Sequence, residues 1–304
     1  MTTLSRTCPR LAAVLCTYRR PACVKKMLEA VVAQTKSIDV LVVVDNGRDP
    51  TVERICEGLE TAFRIEYVAP ETNIGPAGAF RVGISRLLDE MGADDLVVLL
   101  DDDDPPRQVD TFERLYRIAC SRSDDPEFAG VGTRGGRLRH GRVAAVPSVD
   151  GPDIQRCDHL HGGFQPMYRV AACRDVAPFD PEFFWGFEEL EFGRRLTAAG
   201  WRLYVALESG GPVAAKRAGG PLRLESPTWR DYYRHRNLLV VLGRERDWRG
   251  ICFTVFLRLL AKPLLFLLVR PTVAADNLAM NFRVVIDSVK RPLPDRRDLL
   301  LDRA

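Results

Sequence analysis

The chain has 304 residues, of which 46% are hydrophobic and 28% charged. This composition is typical of a globular protein and argues against intrinsic disorder. With 44 basic and 41 acidic residues the net charge is only +3, so a nucleic-acid partner is not expected.

The eight cysteines include no C-x-x-C pair, which excludes the usual zinc-finger and redox spacings. Several lie in apolar runs, where a free cysteine behaves as a small hydrophobic residue. The first ten residues are polar and do not have the pattern of a signal peptide. We therefore expect a cytoplasmic protein, with the inner face of the cell membrane as the alternative location.

The first hundred residues alternate short apolar runs with helix-spaced apolar positions. The runs predict four buried strands, at Leu11–Thr17, Val40–Asp45, Phe63–Val68 and Leu96–Leu100. Helices are predicted between them, at Ala22–Gln34, Val52–Ala62 and Ala77–Glu90. This order indicates an α/β fold with a doubly wound, mostly parallel sheet, whose ligands bind beyond the carboxyl ends of the strands.

Polar or glycine-rich residues follow every predicted strand. The four segments are Thr17-Tyr18-Arg19-Arg20-Pro21, Asp45-Asn46-Gly47, Asn73-Ile74-Gly75-Pro76-Ala77-Gly78 and the run from Asp101 to Pro106. Because parallel strands end at one edge of the sheet, we expect these side chains to lie near one another.

Four successive aspartates, Asp101 to Asp104, follow the fourth strand and precede two prolines. A run of this kind is usually a solvated loop. Here it leaves a buried strand, and carboxylates held close together repel unless a cation offsets them. The run therefore favours a site for a hard divalent ion that takes oxygen ligands.

A second acidic motif follows an aromatic cluster, in Trp185-Gly186-Phe187-Glu188-Glu189-Leu190-Glu191. Acidic residues are common in the first turn of a helix, and the aromatic residues could belong to the core. The same residues would also suit an aromatic platform for a sugar ring beside a general base. The sequence alone leaves both interpretations open.

The rest of the chain is predicted to be helical after a loop-rich middle. Residues 130–169 favour loops and short strands, and a helix is predicted to begin near Gly186 and to run through Glu188–Ala199. Further helical stretches are Thr228–Gly243, the apolar segment Ile251–Val269 and Ala274–Val289, before a charged tail. We expect two domains, 1–245 and a helical C-terminal extension at 246–304.

Taken in order, these motifs resemble the family-two glycosyltransferases with a GT-A fold over roughly residues 10 to 245. The resemblance rests on CTYRRP, VVVDNG, NIGPAGAF, LLDDDDPP, WGFEELEFGRRL and YYRHRNLLVVL. The last motif is similar to a helix in galactofuranosyl- and rhamnosyltransferase-like members. The resemblance implies a metal-assisted transfer, with inversion, from a UDP- or dTDP-linked sugar to a hydroxyl of a glycan, lipid-linked or small-molecule acceptor.

The resemblance implies a role for each matching residue of the donor site. The nucleotide would contact Thr17, Arg20, Asp45, Asn73, Gly75, Gly78, Asp101 and Asp102, with Asp45 accepting from the base. Asp101 and Asp103 would hold Mg²⁺ or Mn²⁺, Asp103 most directly.

On the acceptor side, Glu189 matches the catalytic base and Glu188 would orient the acceptor. Trp185 and Gly186 would contact the acceptor, and Glu191 would support the loop. His159 and His161 lie in the segment HLHGGF; His161 is a further acceptor-binding candidate, although both could be surface polar groups.

One feature departs from the family pattern. Many members have a metal-binding histidine after the base helix, whereas residues 201–220 contain none. Glu208, water or a phosphate could take that position, or Lys216 or Arg217 could replace part of the ion's charge.

The apolar segment Ile251–Val269 has Arg258 and Lys262 near its centre. Each central charge costs ~2.5–3.5 kcal/mol on insertion scales, so a membrane span is not expected. A helix lying on a membrane surface and a packing or dimer helix are the two alternatives, which leaves a membrane surface and a second copy of the chain open as partners.

Two other functions remain open from the sequence. A sugar-phosphate nucleotidylyltransferase shares this kind of sheet, but CTYRRP lacks the glycines that its first loop needs. A nucleotide-sugar-binding scaffold without catalysis is the second, and the missing histidine is its only support.

Overall fold

The computed structural model describes residues 8–146, 154–206 and 224–293. The described residues form two compact units. The first contains residues 8–136, 145–146, 154–181 and 189–206, and the second contains 137–144, 182–188 and 224–293. The predicted boundary at residue 245 stays a prediction.

The helices and strands have the following bounds. The strands are β1 Leu11–Thr17, β2 Val40–Asp45, β3 Arg64–Val68, β4 Leu96–Asp101, β5 Phe128–Gly132, β6 Gly135–Arg139, β7 Arg142–Ala145, β8 Gln155–Cys157, β9 His159–Leu160, β10 Met167–Arg169 and β11 Arg202–Val205. The α-helices are α1 Pro21–Val32, α2 Pro50–Glu57, α3 Gly75–Leu88, α4 Thr111–Ser121, α5 Val170–Val176, α6 Glu188–Ala198, α7 Trp229–Arg244, α8 Trp248–Cys252, α9 Lys262–Leu265 and α10 Pro271–Val289. A π-helix, Phe253–Ala261, separates α8 from α9.

The main sheet has the strand order β3-β2-β1-β4-β10-β5-β11-β8. Strands β3, β2, β1 and β4 are parallel. Strand β10 is antiparallel to both of its neighbours, and β8 is antiparallel to β11. The predicted doubly wound, mostly parallel sheet is therefore confirmed.

Both faces of β1, β2 and β4 are buried, which explains why these strands read as continuous apolar runs. In β1, Ala12 and Val14 face one core cluster while Leu11 and Leu15 face the other. Helix α3 covers the first face, and α1, α2 and α4 cover the second. A side chain at Gly83 of α3 would clash with Val14, so this helix lies directly on β1.

Helix boundaries differ from prediction where a cap decides them. Helices α1 and α2 begin at Pro21 and Pro50, because proline suits the first helical turn. The Asp49 side chain also accepts a hydrogen bond from the Thr51 amide, 2.8 Å away. Helix α2 stops at Glu57 rather than Ala62, because Gly58 caps it.

The second unit is built on α7, whose core face contains Tyr232, Tyr233 and Leu239. Thr228 caps α7: its hydroxyl accepts from the Asp231 amide, and the Asp231 carboxylate accepts from the Thr228 amide, 2.9 Å away. No helix within 8–146, 154–206 or 224–293 is long and apolar enough to cross a membrane.

Candidate active site

The acidic run lies at the end of β4, where three carboxylates converge. Asp101 is the last residue of β4, and Asp102 and Asp103 follow it. One carboxylate oxygen from each of the three lies within 4.8 Å of the other two. Asp102 is buried and Asp103 is exposed, so the cluster extends from the sheet edge to the surface.

The charges in this cluster oppose one another. Burial, the largest cause, and the nearby charges of Asp103, Asp102 and Glu189 together raise the pKa of Asp101 to about 7. Burial also raises the pKa of Asp102, although Thr17 and Arg20 oppose that shift. A hard divalent cation with oxygen ligands would offset this repulsion. The three aspartates therefore fit the Mg²⁺ or Mn²⁺ that the sequence predicts.

Thr17 and Arg20, which follow β1, contact the acidic run directly. The Thr17 hydroxyl donates to Asp102 at 2.6 Å. One Arg20 nitrogen donates to Asp102 at 3.0 Å and to Asp103 at 2.6 Å. The hydrogen bond to Asp103 is the largest cause of the raised pKa of Arg20. The ends of β1 and β4 are thus joined by charged and polar contacts.

Asp45, at the end of β2, is fully buried and bonded within the protein. Its carboxylate accepts from the Gly47 amide at 2.8 Å, the Asp49 amide at 2.7 Å and the Tyr67 hydroxyl at 2.9 Å. These contacts hold the turn after β2. The predicted role of Asp45 as an acceptor from a nucleotide base stays a prediction.

Asn46 joins the end of β2 to the start of α3. Its amide nitrogen donates to the Gly75 carbonyl at 3.2 Å, and its oxygen accepts from the Ile74 amide at 3.2 Å. Asn73 accepts from the Gly75 amide at 2.9 Å, and Gly75 has a left-handed φ of 69°. Sequence reasoning missed Asn46, whose position beside Asp45 was its only signal.

Gly78 has no room for a side chain, because an added Cβ would lie 2.7 Å from the Ile74 Cβ. The structure explains this glycine by its packing against Ile74, the residue that precedes α3. Nucleotide binding by Asn73, Gly75 and Gly78 stays a prediction.

Glu189 lies in the first turn of α6, and its Oε1 accepts from the Gly162 amide at 3.1 Å. A Cβ at Gly162 would lie 2.7 Å from that oxygen, and one at Gly163 would clash with the Asp104 carboxylate. Gln165 Nε2 donates to the Asp104 carbonyl at 2.7 Å. The turn Gly162–Gln165 therefore contacts both acidic motifs, a role that sequence reasoning missed although the adjacent glycines were visible.

Of the two histidines beside this turn, His159 is buried and His161 is partly buried. Burial lowers the pKa of His161, and Glu189 opposes that shift. His159 is buried, and burial, His161 and Arg194 lower its pKa to about 3. The surface alternative is therefore wrong for His159, while acceptor binding by His161 stays a prediction.

The aromatic-acidic segment before Glu189 is held by α7 of the second unit. Asn237 is fully buried, and its side-chain nitrogen donates to the carbonyls of Phe183, Trp185 and Gly186 at 2.9, 3.0 and 2.6 Å. Arg236 donates to the Asn237 side chain at 2.6 Å and to the Glu182 carbonyl at 2.7 Å. These bonds fix the backbone around Trp185.

The backbone of the segment 184–187 has an unusual conformation. Phe184, Gly186 and Phe187 all have left-handed φ angles. For the two phenylalanines this backbone is strained, and such strain is often found at functional sites. The Trp185 ring lies 5.3 Å from that of Trp229. Its stacking on an acceptor stays a prediction, as does acceptor binding by Gly186.

The other acidic residues of the second motif, Glu188 and Glu191, lie in α6. Glu188 is buried, and Glu191 is buried and accepts two hydrogen bonds from Arg195 at 2.7 and 2.9 Å. Glu208, Lys216 and Arg217, which might replace the missing histidine, lie outside the described residues.

Comparison with known sequences identifies related proteins. The family model described as "Glycosyltransferase like family 2" matches residues 9–210. Galactofuranosyltransferase GlfT1 of Mycolicibacterium smegmatis is 29% identical over 205 residues, which are 62% of this chain and 66% of that protein. GlfT1 of Mycobacterium tuberculosis H37Rv is 28% identical over 213 residues, 65% of this chain and 67% of that protein. The match thus spans about two thirds of each relative.

Solved structures share the fold at low identity. The mannosyltransferase PcManGT of Pyrobaculum calidifontis, in complex with GDP-Man and Mn²⁺, has a TM-score of 0.55 at 15% identity and covers 93% of this chain and 88% of its own. GalNAc-T7 with UDP, GalNAc and Mn²⁺ has a TM-score of 0.55 at 12% identity and covers 92% and 55%. The sheet and its helices match the GT-A fold of these structures.

Proposed function

The chain belongs to the glycosyltransferase-like family 2, and we propose that it transfers a sugar, with inversion, from a UDP- or dTDP-linked donor to an acceptor hydroxyl. The observation that supports this most is the turn Gly162–Gln165, which contacts both Glu189 and the acidic run after β4. The mycobacterial relatives are galactofuranosyltransferases, so a UDP-linked galactofuranose is the first donor to test.

On this proposal the carboxylates at the end of β4 form the donor site. Asp101 and Asp103 would hold Mg²⁺ or Mn²⁺, which supplies positive charge to stabilise the departing diphosphate. Thr17 and Arg20 keep Asp102 and Asp103 in place through their hydrogen bonds. Asn73, Gly75 and Gly78 would bring backbone close to the ribose and diphosphate.

Glu189 is the proposed base. The Gly162 amide donates to Glu189 Oε1 and so orients that oxygen. Glu189 takes the proton of the acceptor hydroxyl as that oxygen bonds to the anomeric carbon. The bond from this carbon to the diphosphate oxygen breaks at the same time, and both electrons leave with the diphosphate.

We propose that the acceptor contacts Trp185, Gly186, Glu188 and His161. Asn237 would act as a positioning residue here, because it holds the carbonyls of Trp185 and Gly186. The acceptor would be a glycan, a lipid-linked sugar or a small hydroxyl-bearing molecule.

Two measurements test the proposal. Melting temperature would be followed with UDP, dTDP, GDP and ADP, each with Mn²⁺ and with EDTA, for the wild type and Asp103→Asn. We expect one pyrimidine diphosphate to stabilise the wild type only with the metal, and Asp103→Asn to abolish the effect. If no nucleotide stabilises the protein, the donor site is wrong.

Turnover would then be compared in Glu189→Gln and in the control Glu57→Gln, an exposed glutamate of α2. Loss of a general base lowers the rate by about 10²–10⁴-fold. We expect this loss in Glu189→Gln, with nucleotide binding retained. Unchanged turnover in Glu189→Gln would show that Glu189 is not the base. An absence of turnover in the wild type would favour a nucleotide-sugar-binding scaffold without catalysis.

A further inference from the structure

The second unit contains a cavity of about 570 Å³ that the proposed transfer does not use. Residues of α7, the π-helix, α9 and α10 line it, among them His235, Arg258, Lys262 and Asn281. We call it the C-terminal cavity. The apolar Leu257 and Leu265 also line it, so it offers both charged and apolar surface.

Two residues that line this cavity each have a buried side-chain atom without a hydrogen-bond partner within the described residues. Asn281 is only 4% exposed; its Nδ2 donates to the Leu259 carbonyl at 2.8 Å, but its Oδ1 accepts from no group. His235 Nδ1 is likewise buried and unpartnered. A buried polar atom without a partner is costly. Both atoms therefore point to a ligand with complementary hydrogen-bonding groups.

Two basic side chains, those of Arg258 and Lys262, also line the cavity. Within the described segments, no carboxylate forms an ion pair with Arg258 or Lys262. These two residues are four positions apart in the chain. Of the acidic residues that line the cavity, Asp231 is engaged by Thr228 in the α7 cap, and Glu225 is exposed. An anionic group would be bound by the two cations.

The surface beside the cavity is strongly apolar. Leu264 is 51% exposed, Leu265 70% and Leu268 98%. Patches of large exposed apolar residues usually mark a site of interaction. Between Asp247 and Asp276 the sequence has no acidic residue, and its four basic residues are Arg249, Arg258, Lys262 and Arg270.

The positive charge of this surface favours a negatively charged partner. Pairing of two copies through this segment across a two-fold axis would bring like charges together, because residues 248–275 contain four basic residues and no acidic one. An anionic lipid surface offers both the negative charge and the apolar layer. No helix of the described residues could span the membrane, so this contact would be with one leaflet.

We propose that the C-terminal unit docks on an anionic lipid leaflet, with the phosphate headgroup of one lipid in the C-terminal cavity. Lys262 and Arg258 donate to the phosphate, and a headgroup hydroxyl donates to Asn281 Oδ1. Leu264, Leu265 and Leu268 enter the apolar layer. Phosphatidylglycerol carries both the phosphate and the hydroxyl, whereas phosphatidylcholine lacks the hydroxyl and a net charge.

The test measures co-sedimentation of the full chain with phosphatidylcholine vesicles, with and without phosphatidylglycerol. We expect binding only when phosphatidylglycerol is present. Leu268→Ser should weaken binding about 10-fold through lost apolar contact. Lys262→Gln should weaken it about 5-fold through lost charge, and Lys262→Arg should restore it. Val109→Ser, at an exposed apolar position of the first unit, should bind as the wild type does.

Other outcomes would overturn the proposal. These are equal binding to both kinds of vesicle, no binding at all, or full binding by both Leu268→Ser and Lys262→Gln. Light scattering that shows a dimer dissociated by Leu268→Ser would identify the surface as a contact between copies. Stabilisation by inorganic phosphate that depends on Lys262, without vesicle binding, would make the cavity a site for free phosphate. Leu268 is almost fully exposed, so its variant should fold even if a cavity variant does not.

Discussion

The most direct test of how the base is held is the substitution Gly162→Ala. The added Cβ would lie 2.7 Å from Glu189 Oε1, against 3.4 Å for ordinary contact, so the carboxylate must move by about 0.7 Å. Gly162 has no left-handed φ that alanine would resist. The variant therefore perturbs Glu189 more than the fold.

The size of the effect follows from two separate losses. A hydrogen bond to a charged group contributes about 1.5–3 kcal/mol, equivalent to roughly 10–150-fold in rate. Misplacement of a reacting group by about 1 Å can cost about 10²-fold. These losses describe one displacement and do not add, so we expect kcat to fall about 10–100-fold.

The assay compares kcat, KM for the donor and nucleotide-induced stabilisation in the wild type and in Gly162→Ala. Gly243→Ala is the matched control, because a Cβ at that position of α7 meets no atom within 4 Å. We expect kcat to fall only in Gly162→Ala, while donor KM and stabilisation stay the same. A Gly162→Ala enzyme with wild-type kcat would refute the proposed contribution of the Gly162–Glu189 contact to catalysis.

Three further predictions concern buried polar groups. Asn237→Ala leaves the carbonyls of Phe183, Trp185 and Gly186 without this donor; urea unfolding should show a loss of about 3 kcal/mol, and no loss would contradict the assigned bonds. Asp45→Asn places an amide group among three donors and should lower the free energy of unfolding by about 2 kcal/mol, whereas an unchanged melting temperature would argue against that network. Burial, His161 and Arg194 together lower the pKa of His159 from 6.5 to about 3. Below pH 6.5 the unfolded chain therefore binds a proton that the folded protein does not, and stability falls as pH falls toward 3. His159→Gln should flatten that decline in melting temperature, and an identical decline in both proteins would exclude His159 as its source.

The sequence predicted the strands well where burial on both faces requires an unbroken apolar run. The bounds of β1 and β2 agree with prediction, and β4 is longer by Asp101 alone. Helix ends were predicted less well, because caps such as Asp49 and Gly58 act through one or two local bonds. These bonds leave the hydrophobic pattern unchanged.

The sequence by itself determined the α/β class and the presence of acidic residues after β4, because strand patterning and chain order are local properties. Only the tertiary structure decided which groups surround those residues. Gly162 lies 27 residues from Glu189, and Asn46 lies 29 from Gly75. Asn237 likewise bonds carbonyls more than 50 residues earlier in the chain. Such contacts depend on how strands and helices pack, and a hydrogen bond between distant residues leaves no periodic pattern in either segment.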